Sequence, residues 1–310
     1  HTLSVSGGNE QVRIYGSFGY NRDDGVSNHS YVDRYTVLFK ADASFNEKLR
    51  VSVNVNGNVQ KKDHVPSEIA AIDYAYNTTR ALPAYNEDGS LYYHLTQDAY
   101  GTTSANSFRY NILNEIDNSS NTYNGTSIMA TLTARYNIKP LWNVTLTGSY
   151  SYSSTKQETW WGEETNYIAR LRNAELEDGP IEGDPECLVP YGGLLTTTNS
   201  EAESAMFRLQ NNLSVYLDEA QSHMISSALG YEVTTTKNTA STIERPGYFK
   251  DRGMQFVALG DALEDFPGLI DYYGEGYQQL TNSLTNKISG YLTLSYSYKY
   301  HFTLNVNGRF

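Results

Sequence analysis

The sequence predicts an all-β fold: a transmembrane antiparallel β-barrel wall of about ten strands with long extracellular loops. Three observations lead there. Apolar and polar residues alternate with period 2 in segment after segment, which gives a ribbon one greasy face and one wet face. The connections alternate between a brief turn and a long loop, the asymmetry of outer-membrane barrels. The wet faces are made of Ser, Thr and Asn rather than Lys and Glu, which suits a water-filled interior better than a solvent-facing sheet.

Taken in order, Thr2–Ser6 is a short strand, and Gly7-Gly8-Asn9 turns into a second strand with Val12, Ile14, Gly16, Phe18 and Tyr20 on its apolar face. The clearest hairpin follows. In Tyr31–Ala41 the residues Tyr35, Val37, Phe39 and Ala41 oppose Arg34, Thr36, Leu38 and Lys40, and in Arg50–Val59 the residues Val51, Val53 and Val55 oppose Ser52, Asn54 and Asn56. Further pairs are expected around 128–136 with 142–153, 207–217 with 225–233, and 287–296 with 302–310; Asn211 reads as an interruption of its strand. The three long loops are placed at about 60–123, 156–201 and 237–282, the first with a short helix near Ser67–Arg80 and a small hairpin at Ala81–His94. Loops of about 45–65 residues are improbable in a compact soluble sandwich, the competing fold.

In a barrel the apolar faces meet lipid. Trp142, Tyr136 and Tyr300 then join the periplasmic aromatic girdle, and Tyr20, Tyr31, Tyr152 and Tyr231 the outer one. Arg34, Lys40, Arg135 and Lys287 fall on interior faces; on the lipid face at mid-depth each would cost about 2–4 kcal/mol.

Composition sets limits. The 27 Tyr, against 10 Phe and 3 Trp, suit a boundary between oil and water. No stretch approaches the roughly 18 apolar residues of a membrane helix. A net charge of −12 argues against nucleic acid as a partner. The single Cys187 excludes an internal disulfide. The opening His1-Thr2-Leu3-Ser4 already reads as strand, so no signal peptide is expected within these residues.

No catalytic constellation is found: the six His are scattered without zinc-ligand spacing, and there is no phosphate loop or nucleophile elbow, so the chain is not expected to be an enzyme. Ligand chemistry is sought in the loops. The candidates are aromatic pairs that stack on sugar rings or grip peptides: Trp160 with Trp161, Tyr92 with Tyr93, and Tyr272 with Tyr273. For the Trp pair, packing of the loop is the competing reading. The stretch 175–186 is acidic, and Glu175, Glu177, Asp178, Glu182 and Asp184 form a weak Ca²⁺ candidate without EF-hand spacing, weighed against a solvated acidic loop. No other cofactor is expected.

Several short motifs, in order, resemble SusC/RagA-like TonB-dependent outer-membrane transporters. They are Ser4-Val5-Ser6-Gly7-Gly8-Asn9-Glu10, Tyr15-Gly16-Ser17-Phe18-Gly19-Tyr20, Asp24-Gly25-Val26, Asp33-Arg34-Tyr35, Asn46-Glu47-Lys48-Leu49-Arg50-Val51 and Leu82-Pro83-Ala84-Tyr85-Asn86-Glu87-Asp88-Gly89-Ser90. The resemblance covers residues 1–150 by motif and the remainder by strand rhythm. One departure is Asn111-Ile112-Leu113, where the family commonly places proline after the Asn. The resemblance implies a 22-stranded barrel, of which this chain is a part lacking the plug. It also implies import of a glycan or oligopeptide across the bacterial outer membrane, energy through TonB, and a SusD-like surface lipoprotein as lid. A passive porin or structural outer-membrane protein is the alternative.

Overall fold

The computed structural model describes residues 1–26, 30–96, 107–258, 260, 262–269, 278–299 and 301–310. In chain order the elements are β1 (Thr2–Gly8), β2 (Val12–Asp24), β3 (Tyr31–Ser44), β4 (Leu49–His64), a 3₁₀ turn (Ser67–Ile69), α1 (Ala71–Asn77), β5 (His94–Thr96), β6 (Phe108–Tyr110), α2 (Ile112–Asp117), β7 (Ser119–Lys139), β8 (Trp142–Trp161), α3 (Asn166–Arg172), β9 (Gly193–Tyr216), β10 (His223–Phe249), β11 (Gln255–Phe256), α4 (Ala262–Asp265), β12 (Gln278–Tyr298) and β13 (Phe302–Arg309). Ten strands pair antiparallel in sequence order, β1-β2-β3-β4-β7-β8-β9-β10-β12-β13, with β11 added to β10 and β5-β6 forming a separate pair.

The register separates the two faces. One row across the sheet reads Val12, Ala43, Val51, Ala134, Leu146, Leu209, Tyr231, Gly290. The row beside it, one residue along each strand, reads Arg13, Asp42, Ser52, Thr133, Thr147, Arg208, Glu232, Ser289. The apolar face has no second layer: Leu132 is 51% exposed, Leu209 44% and Leu229 54%. In water such a face is an aggregation template; against lipid tails it is at its minimum. Among the described residues no helix is long and apolar enough to cross a membrane. The sheet has the form of a β-barrel wall, one face apolar and one polar.

The brief turns have one device in common. Asn9 Oδ1 accepts from the backbone N–H of Gln11 and Val12 at 2.9 and 2.7 Å, Asn46 Oδ1 from Lys48 and Leu49 at 2.9 and 2.8 Å, and the Asp218 carboxylate from Ser222 and His223 at 3.0 and 2.8 Å. A short Asx side chain mimics the backbone and closes the turn. The bond from His223 N–H, above all, holds the Asp218 carboxyl below the usual carboxylate range. A depressed acid stabilises the fold above its unfolded pKa of about 3.9 and loses that contribution as pH falls through its folded value. Amide exchange at Ser222 and His223 is therefore expected to speed up below about pH 4 relative to an Asp218→Ala variant, which shows no such step.

The structure corrects three details. The strands run further than the alternation indicates, so the long connections shrink from about 60–123, 156–201 and 237–282 to 65–118, 162–192 and 250–277. The reason is physical. Ladder bonds are made by the backbone, and above the bilayer the outward positions no longer need to be apolar: Lys237 and Glu203 face each other there. Tyr31 stands above the band with the Arg22 guanidinium 4.6 Å over its ring, opposite Asp24 and Asp63. Tyr300 lies outside the described residues.

Asn211 does not interrupt β9. It sits on the lipid-facing row, paired with Val144 and Leu229, and its Oδ1 accepts the Trp142 indole N–H at 2.7 Å. The girdle tryptophan thus satisfies a polar group that lipid cannot. Trp142→Phe is expected to cost about 1–3 kcal/mol by orphaning that amide. The double change with Asn211→Leu is expected to recover most of the loss, read from unfolding of the detergent-solubilised barrel.

Candidate functional site

The long connections fold inward. Trp161 and Leu194 lie opposite each other on the polar face of β8 and β9. With Ile69, Ile168 and Val189 they form a buried apolar cluster, packed by Val65, Ile112, Ile116 and Tyr167. The main core of the chain is therefore a loop layer spread over the loop end of the polar face. A smaller cluster joins Cys187, Phe266 and Leu269, where burial pushes the Cys187 thiol up to about 11 and leaves it a neutral packing group.

Three polar side chains staple this layer. Asn111 is buried ahead of α2; its Oδ1 accepts from Leu113 N–H at 2.9 Å, and its Nδ2 donates to the carbonyls of Ala84 and Tyr92 at 2.9 and 2.8 Å. It caps a helix and ties down the hairpin at the Tyr85–Leu91 bridge in one residue. Glu115 is 3% exposed, and its Oε1 accepts from Asn166 N–H at 2.8 Å, with Tyr167 N–H a further donor. One carboxylate on α2 thereby holds the start of α3. Burial raises its pKa, and these donors oppose that rise. Arg172 is 1% exposed, donates from Nη2 to the Gly192 carbonyl at 3.1 Å, and has its pKa lowered by burial. Asn111 stood out in the sequence only as a departure from the family's pattern, not as a cap; Glu115 and Arg172 look like ordinary surface charges until the loops are folded.

The two tryptophans point to opposite faces. Trp161 stacks on Tyr167 with centroids 4.1 Å apart in the buried cluster. Trp160 faces outward, nearly buried, with the Lys250 ammonium 3.9 Å from its ring centroid. In place of an open sugar platform, the pair packs the loops from both sides. Tyr93 donates to Asn114 Oδ1 at 3.2 Å and lies under the Arg109 guanidinium, while Tyr92 is half-buried with its carbonyl held by Asn111. Tyr272 and Tyr273 lie outside the described residues.

The acidic stretch does not converge on a Ca²⁺-like cage. Glu175 accepts from Arg109 N–H at 2.6 Å, Glu177 pairs with the Arg109 guanidinium at 3.3 Å, and Asp184 accepts from Asn173 Nδ2 at 2.8 Å. Glu182 is exposed, and Asp178 closes a local turn through its backbone. Among the described residues no three His, Cys, Asp or Glu gather as ligands. The carboxylates are spread because each answers a different donor along the loop.

Below the loop layer the polar face is a connected surface. The Glu232 carboxylate lies between Arg208, with Nε at 2.8 Å, and Arg309, with Nη2 at 2.9 Å. Tyr291 lies across Gly230, where a Cβ would come within 2.0 Å of its ring, and donates to Gln210 at 2.7 Å. Gln210 donates to Asn212, and Asn212 to Asn143. Such a wall tolerates water and hydrated solutes.

No protein-family model matches the chain. Over 96 residues it is 31% identical to TonB-dependent receptor P3 of Formosa agariphila, a match covering 28% of this chain and 10% of that protein. The RagAB peptide transporter superposes on 99% of the chain with a TM-score of 0.68 at 13% identity, over 31% of its own length. Its open-open state gives 0.70 at 12% identity over 30%. The ferric-catecholate import receptor Fiu of E. coli K12 gives 0.51 at 13% identity, with 99% of this chain and 41% of that one covered. The chain thus spans about a tenth of the curated relative and about a third of the RagAB chain. These relatives are receptors and transporters, not enzymes.

Proposed function

We propose that this chain carries part of the wall of a SusC/RagA-like TonB-dependent outer-membrane transporter and forms part of the conduit by which a glycan or oligopeptide is imported, under a SusD-like surface lipoprotein and with energy delivered through TonB. The observation that supports this is the arrangement of the loops. They fold over the polar face of a lipid-facing wall, where a ligand arriving from outside meets them first. No bond is made or broken in such a role. Selection comes from differential binding at the loop layer and the interior wall, and release from movement elsewhere in the protein. The peptide-carrying neighbour and the curated receptor favour energised import over a passive pore.

The test is uptake in cells carrying the full-length protein, with and without TonB and with and without a SusD-like lipoprotein. Import that requires both supports the reading. Steady ion conductance of the purified full-length protein in a planar bilayer, with uptake indifferent to TonB, would establish a porin instead.

A further inference from the structure

The charge of the polar face runs against that of the chain. The chain as a whole is −12. On the adjacent strands β2, β3, β4 and β7 the polar face bears Arg13, Arg34, Lys40, Arg50, Lys62 and Arg135, against the carboxylates Asp23 and Asp42. None of the six cations has an ion-pair partner among the described residues. Five are exposed, and Lys62 is half-buried with its ammonium 4.9 Å over the Tyr123 ring. Next to them the polar face of β8 carries no charge from Asn143 to Trp161.

The cations form a track rather than a spot. Read along β4, Arg50 begins it; Arg13 joins at the level of Ser52 through Asp42, Lys40 at Asn54 and Arg34 at Gln60, and Lys62 ends it. Twelve residues of strand separate Arg50 from Lys62, about 40 Å at 3.3 Å per residue. Arg50 and Arg135 are directly opposite each other, and like charges so placed destabilise a sheet unless an anion lies over them. At that end a concavity of about 720 Å³ opens, lined by both arginines. Glu10 and Glu47 on the turns share its lining without forming an ion pair with either.

We propose that this track attracts and guides a linear ligand bearing several carboxylates, making the polar face of β2, β3, β4 and β7 a selectivity surface for anions. The inference rests on the import reading only in taking the polar face as the solute path. Charge complementarity selects the ligand class: a row of unpaired cations on a neutral hydroxyl-rich wall raises the local concentration of a polyanion and holds it weakly at successive levels. An acidic oligopeptide and an oligouronate have that chemistry in common.

The experiment uses the purified full-length protein and four probes: hexaglutamate, hexaglutamine, an oligogalacturonate and its methyl ester. The anionic member of at least one pair is expected to bind tenfold or more tightly than its neutral twin, losing that margin between about 0.05 and 0.5 M salt. The pair that responds identifies the source. Lys40→Gln/Arg50→Gln/Arg135→Gln is expected to weaken anion binding about tenfold, and Lys40→Gln or Arg34→Gln alone two- to threefold, with barrel assembly followed by heat-modifiable gel migration. Equal binding of charged and neutral probes, no binding of either anion, or unaffected binding in well-assembled variants would overturn the proposal. So would variants that lose stability while keeping anion binding, since the cations would then hold another part of the polypeptide. Charge-selective binding without TonB-dependent uptake would leave this inference standing and remove the import reading.

Discussion

Leu146→Arg is expected to destabilise the barrel by about 2–4 kcal/mol, while Thr147→Arg, one residue on, costs less than about 1 kcal/mol, the repulsion of Arg208 directly opposite. The two positions are neighbours on β8 with opposite surroundings. Leu146 lies in the row of Ala134 and Leu209, midway between the girdle residue Trp142 and the upper tyrosines Tyr150 and Tyr152. Thr147 lies in the row of Thr133 and Arg208, on the polar face, where a guanidinium already stands paired with the Glu232 carboxylate. A cation at Leu146 must dehydrate or thin the membrane around it; at Thr147 it keeps its hydration. Reversible unfolding in lipid vesicles reads the difference. Equal costs at the two sites would mean that the aliphatic face does not meet lipid.

That contrast also marks what was legible before any coordinates. Within the bilayer the side-chain period is tied to a sharp change of solvent, so Val51, Leu132, Leu209 and Leu292 declared their face and their strands. Above the bilayer both faces are wet and the constraint disappears. The upper parts of β9 and β10, such as Thr196–Ser200 and Lys237–Thr242, therefore read as loop although their backbone ladder continues unbroken. Asn211 misled for a related reason: a lone amide on an apolar row looks like a break until the Trp142 indole is found beside it. The candidate site was harder to see. Trp160-Trp161 stands out in one dimension as a pair and was read in a long loop; only its place at the end of β8, where consecutive residues face opposite ways, shows that the rings do not form one platform. Glu115 carried no such signal, because its partners Asn166 and Tyr167 are about fifty positions away in sequence.

Glu115→Ala is the second change expected to have a large effect, and its effect is local. The carboxylate holds the amides that open α3, and α3 carries Ile168 into the buried cluster with Trp161 and Val189. Truncation leaves two N–H groups without an acceptor in a dry site, at about 1–3 kcal/mol each when neither is rescued by water. The loop layer is expected to lose about 2–4 kcal/mol while the strands below keep their stability, because the wall is held by its own ladder. Amide exchange should accelerate across α2, α3 and the Tyr85–Leu91 hairpin and remain slow in β7 to β10. Glu115→Gln keeps an acceptor and should recover much of the loss. It also exposes the sign of the pH dependence. Burial raises the Glu115 pKa, so the folded layer holds a proton more tightly than the unfolded chain does; that contribution is complete below the unfolded value of about 4.3 and fades as pH rises through the folded one. Protection of the loop layer in the native protein is therefore expected to increase on mild acidification, and the Gln variant, uncharged at every pH, should show no such trend. Faster exchange of the native loops at lower pH would mean that the ionised carboxylate, through its bonds to α3, is the form the layer prefers.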